Sequence, residues 1–118
     1  MDKYDYLIAL GRQLAPMETG LKTEAHAVGG CQSKVWLAAR VTDGRMRFAA
    51  DSDALITRGL IALLLEVLDG QRPEDVATAE LYFIDRTGLG SNLSPARANG
   101  LKAVVKHLRH LARAALPD

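Results

Sequence analysis

The chain has 118 residues, 48% hydrophobic and 25% charged, with a formal net charge of +1 and a mean hydropathy of -0.01. That composition predicts one folded domain over residues 1–118 with a modest core, and it excludes a disordered body. It gives no global electrostatic case for binding nucleic acid, and the longest apolar run, Leu60 to Leu65, is far too short to span a membrane.

The opening, MDKYDYLIAL, sets acidic residues beside its lysine and has no small-residue cleavage site, so it does not read as a signal peptide. Tyr4 to Leu14 places Tyr4, Leu7, Ile8 and Leu14 on one side and predicts a short amphipathic helix, weakened by Gly11 and stopped by Pro16. Residues 17–30 keep no period and read as a loop. Lys34 to Val41 and Arg45 to Ala49 flank Thr42-Asp43-Gly44, a strong hairpin signal. Alternation in the second strand sends Met46 and Phe48 to the core and Arg45 and Arg47 to water.

Asp51-Ser52-Asp53 offers side-chain oxygens to cap a helix that runs to about Asp69 and ends at Gly70. Its Leu60–Leu65 run leaves almost no polar face, so it belongs at the centre of the domain, with Gly59 permitting close approach of another element. Pro73 opens a short helix, and Leu81 to Ile84 reads as a third strand. Ser94-Pro95 then starts a last helix with a core stripe of Leu101, Val104, Val105, Leu108, Leu111 and Ala115. The fold class expected is α+β, a small antiparallel three-stranded sheet covered by helices.

Cys31 is the only cysteine, which excludes an internal disulfide and a cysteine-rich metal cluster and suits a reducing, cytoplasmic setting. A lone cysteine ordinarily packs as a small hydrophobe. This one follows Gly29 and Gly30, precedes the polar Gln32 and Ser33, and sits just before a strand, where function tends to collect. One thiol cannot run a dithiol cycle. A cysteine hydrolase would need a base, and spacing does not bring His26, His107 or His110 to Cys31. Exchange of a sulfur group asks only for accessibility and some thiolate.

Other polar residues carry less chemistry. His107 and His110 stand at i, i+3 without a neighbouring acid or cysteine, so they read as solvated residues on a basic helix; no metal or cofactor is expected. Asp51 and Asp53 are explained by capping, and Trp36 by packing. Arg97 falls in the first turn of the last helix, an unfavourable place for a cation, which points to a specific partner. Residues 51–75 are mostly acidic and residues 94–118 mostly basic. The two segments either face each other across the fold or form a charged docking face.

GCQSKVW, DSDALITRGLIALL and LSPARANGLKAV resemble, in this order, the three signature stretches of the SufE family of sulfur-acceptor proteins. The resemblance runs from KYDYLIALGRQL to the last helix. It implies that Cys31 accepts persulfide sulfur from a cysteine desulfurase, SufS-like or CsdA-like, and passes it to a downstream iron–sulfur scaffold. It implies that Gly29 and Gly30 hinge the cysteine loop, that Asp53 lies near that loop and affects its release, and that Arg97 stands near the site with Gln32 and Ser33. The implied fold is that of the IscU-type scaffold, although one cysteine cannot hold a cluster. Typical members carry a further helix ahead of the stretch matching KYDYLIALGRQL, where this sequence opens. The rival reading is an interaction module that activates the desulfurase with Cys31 as a structural residue.

Overall fold

In the computed structural model of the chain, residues 3–15, 17–29, 34–79 and 95–116 are described, positions 3, 4 and 95–99 for their backbone alone. The elements are α1 (Lys3–Gln13), β1 (Val35–Thr42), β2 (Arg45–Ser52), α2 (Leu55–Leu68), α3 (Pro73–Thr78) and α4 (Pro95–Ala114). Two short 3₁₀ turns, Thr19–Leu21 and Glu24–His26, interrupt the segment expected to be an irregular loop.

Strands β1 and β2 pair antiparallel around a two-residue turn in which Asp43 and Gly44 have φ of 53° and 76°. Positive φ at both central residues is the type I′ geometry whose twist matches that of the strands, and Asp-Gly supplies it cheaply. The turn sets Thr42 opposite Arg45 and thereby Trp36 opposite Asp51 and Leu37 opposite Ala50. Met46 is buried, Phe48 half-buried, and Arg45 and Arg47 exposed, as the alternation requires. β2 continues to Ser52, three residues beyond the predicted strand. Among the described residues the sheet has two strands, extended by a single bridge from Ala27 to Trp36. The strand expected at Leu81–Ile84 lies outside the described residues.

The outer edge of β2 is covered by the C-terminal end of α2. Phe48 N–H donates to Asp69 Oδ1 at 2.9 Å, while Met46 donates to Gln71 O and accepts from Gly70 N–H, each at 2.8 Å. Gly70 has φ of 80°, the left-handed conformation that turns the chain off the helix and onto that edge. These bonds occupy edge groups that would otherwise be open to pairing.

The core joins Val35, Leu37, Met46 and Ala50 of the hairpin to Ile61, Leu64, Leu65 and Leu68 of α2, Val76 of α3, and Val104, Leu108 and Ala112 of α4. Each fully buried aliphatic side chain there contributes about 1.5–3 kcal/mol. α1 packs on α2 through Leu7 and Leu60, with two glycines at the crossing. A Cβ on Gly59 would fall on the Leu7 carbonyl, and one on Gly11 would lie 2.7 Å from Leu55 O. The two backbones therefore touch, the close approach anticipated for Gly59. Gly11, which costs α1 intrinsic helicity, supplies the other half of the same contact.

Candidate functional site

Cys31 lies in the chain between Gly29, which is exposed, and Lys34, where the described backbone resumes. Cys31 itself, with Gly30, Gln32 and Ser33, lies outside the described residues. Both flanks are fixed. On the N-terminal side, Val28 N–H donates to Val35 O at 2.9 Å, next to the Ala27–Trp36 bridge. On the C-terminal side, the hairpin register extended by one position sets Lys34 opposite Asp53. There Asp53 N–H donates to Lys34 O at 3.2 Å, and Lys34 N–H donates to Asp53 Oδ1 at 3.0 Å. A side-chain carboxylate thus takes the place of a backbone acceptor and holds the amide that follows Ser33.

The acidic triplet does not cap α2, contrary to the expectation. Ala54 occupies the N-cap and makes no side-chain capping bond. Asp51 and Ser52 are buried residues of β2, and Asp53 is committed to Lys34. The physical reason is that two more residues paired with β1 put Asp51 under the sheet, where cations reach it. Lys22 Nζ lies 2.6 Å from Asp51 Oδ2 and Arg58 Nε lies 3.4 Å from Asp51 Oδ1. Ser52 N–H donates to Asp51 Oδ1 at 2.8 Å, and Ser52 Oγ accepts from Ala54 N–H at 3.2 Å. Burial of Asp51 pushes its carboxyl up, but the Lys22 and Ser52 hydrogen bonds and the Arg58 and Lys22 charges outweigh it, and the net shift is downward.

Lys22 also stands 5.6 Å from the centroid of Trp36, a cation–π distance. Trp36, expected to pack in the core, is half-buried, belongs to neither apolar cluster and stands against a cation instead. One lysine in the segment leading to Cys31 thus reaches both strands of the hairpin, while Arg58 carries the same carboxylate to α2. Arg58 Nη2 further donates to Leu14 O at 3.5 Å, just beyond α1. Lys22 and Arg58 escaped the sequence reading. The Asp-Gly turn at 43–44 puts Trp36 across from Asp51, but no local spacing brings Lys22 or Arg58 to that pair.

Among the described residues, a Cβ built on Gly29 meets no atom within 4 Å, and the φ of Gly29 lies outside the left-handed region. Arg97 falls within the first turn of α4; its side chain lies outside the described residues. His26 is half-buried, with Nδ1 3.3 Å from Thr23 Oγ1. The His107 and His110 rings are 6.5 Å apart, and burial followed by the His110 charge holds His107 below the usual histidine range. Among the described residues no group of three or more His, Cys, Asp or Glu side chains is placed to hold a metal ion. No described helix is long and apolar enough to cross a membrane. A groove of about 370 Å³ between α1, β2 and α2, lined by Leu10, Leu14, Phe48 and Leu65, includes neither Gly29 nor Asp53.

A family model described as SufE, Fe-S metabolism associated domain, matches residues 1–112. The sulfur acceptor protein CsdE of Escherichia coli is 40% identical over 105 residues, covering 87% of this chain and 71% of that protein. An uncharacterized SufE-like protein of Synechocystis sp. is 38% identical over 107 residues, covering 91% of this chain and 67% of its own. The solution structure of a hypothetical protein from Thermus thermophilus superposes with a TM-score of 0.80 at 27% identity, covering 98% of this chain and 87% of that one. The α+β architecture, the match across the chain and the shared identity together establish that this chain belongs to the SufE family.

Proposed function

We propose that this protein is a sulfur acceptor of iron–sulfur metabolism and that Cys31 is the residue that takes the sulfur. The observation that carries the reading is the placement of the only thiol between two pinned flanks, Val28–Val35 and Lys34–Asp53, in a SufE-family chain. The description of the Escherichia coli relative as a sulfur acceptor supports the same role.

In the proposed step the Cys31 thiolate attacks the terminal sulfur of a persulfide on a cysteine desulfurase. A bond forms from Cys31 Sγ to that sulfur, the donor's sulfur–sulfur bond breaks, and the donor thiolate leaves. Cys31 then carries a persulfide, and attack by a recipient thiolate returns it to its starting state. No oxidant or reductant is consumed. Gly29 and Gly30 would give the segment freedom, Asp53 would fix its C-terminal end, and Gln32, Ser33 and Arg97 would set its polar surroundings. Positive charge near Cys31 would favour the thiolate.

Desulfurase turnover in the presence of Cys31→Ser tests the reading. A sulfur acceptor loses its stimulation of the desulfurase when the thiol is removed. Retained stimulation would make the protein an interaction module with a structural cysteine.

A further inference from the structure

Among the described residues, no ion pair joins the acidic segment, residues 51–75, to the basic one, residues 94–118. The ion pairs among the described residues are Lys22–Asp51, Arg47–Asp69 and Arg58–Asp51, none of which involves α4. The α4 sequence, PARANGLKAVVKHLRHLARA, contains no acid. Lys102, Lys106, His110 and Arg113 are exposed on it. At 3.6 residues per turn, Lys102, Lys106 and Arg113 fall within about 40° of one another and span about 16 Å of helix. Their stripe is centred about 140° around the helix from the buried Val104, Leu108 and Ala112, on the exposed side. Arg109, beside it, is turned aside to donate from Nη2 to Ala79 O at 2.8 Å. Lys102, Lys106 and Arg113 have no ion pair among the described residues, although α3, with exposed Glu74 and Asp75, packs on the same helix.

We propose that this stripe docks an acidic face of the sulfur donor, an inference that rests on the reading of the protein as a sulfur acceptor. A sulfur acceptor with one thiol must meet a donor protein to be loaded before it can meet any recipient, so this is the first encounter its role requires. A row of fixed like charges on a rigid helix steers such an encounter and sets its register. Membrane docking is disfavoured because an interfacial helix needs apolar anchors beside its cations, and among the described residues the exposed large hydrophobic ones, Tyr6, Val41, Leu55 and Val67, all lie elsewhere. Nucleic acid is disfavoured by the net charge of +1.

The test titrates a SufS-type or CsdA-type desulfurase with the wild type, with Lys102→Gln/Lys106→Gln/Arg113→Gln, and with the charge-keeping Lys102→Arg/Lys106→Arg/Arg113→Lys, at several NaCl concentrations. Intact mass at saturating concentration reports sulfur on Cys31. The neutral variant is expected to bind about ten-fold more weakly at low salt, with a shallower salt dependence, yet to gain sulfur once saturated. The charge-keeping variant should follow the wild type. A neutral variant that titrates like the wild type at every salt concentration overturns the docking face while leaving Cys31 as acceptor. Stripe-dependent binding to anionic vesicles without any effect on the desulfurase also overturns it. Absence of sulfur on the wild type counts against the acceptor reading itself, whatever the titration shows.

Discussion

Asp53 does for Lys34 what the backbone of a longer strand would have done. Its carboxylate accepts the amide directly after the cysteine segment. Asp53→Ala should cost about 1 kcal/mol and speed hydrogen exchange at the Lys34 amide roughly five-fold, with protection elsewhere in the hairpin unchanged. Asp51 is a different case because it is 7% exposed and answers two cations. Asp51→Asn would leave Lys22 and Arg58 without their counter-charge, and urea denaturation at neutral pH should show a loss of about 2–3 kcal/mol. The folded-state value of this carboxyl is depressed, so its stabilisation is present above the unfolded value of about 3.9 and is lost as pH falls through the folded value. Wild type and Asp51→Asn should therefore converge in stability in strong acid.

Among the elements, the hairpin was the most legible in sequence because the Asp-Gly turn and the Arg-Met-Arg-Phe alternation state the same register. The reach of β2 was not legible. Asp51, Ser52 and Asp53 have the chemistry of a cap, and only pairing with β1 decides that they belong to the sheet end instead. The contact of α1 with α2 was half legible: Gly59 signalled close approach, but the partner, Leu7 and Gly11, is a tertiary choice. Gly59→Ala should destabilise the fold by roughly 3 kcal/mol or more, since a rigid backbone carbonyl occupies the space of the new methyl group. Gly29→Ala meets no atom of the described residues and should shift the thermal midpoint by less than about 2 °C. A fall in sulfur transfer by Gly29→Ala at unchanged stability would mark that position as a hinge.

Across the whole molecule, the charge pattern read from sequence left two possibilities, internal pairing or a docking face. The structure pairs Asp51 and Asp69 with Lys22, Arg58 and Arg47, and it leaves α4 cationic and outward. Sequence distance could not reveal this, because Lys22 lies far from Asp51 along the chain and reaches it only after the hairpin closes. The same closure gathers the flanks of Cys31, so a single register organises the pinned ends, the buried carboxylate and the tryptophan beside them. One thiol behind a glycine pair and a basic last helix were readable at once. Their support was not, being built from long-range contacts that no local spacing encodes.

The most direct test of the central claim is intact mass after incubation with a cysteine desulfurase and cysteine, for the wild type beside Cys31→Ser. The sulfur-acceptor account predicts that the wild type gains the mass of one sulfur atom, removable by a thiol reductant, and that Cys31→Ser gains none. A wild type that gains no sulfur while the desulfurase turns over, or an equal gain on Cys31→Ser, would contradict it.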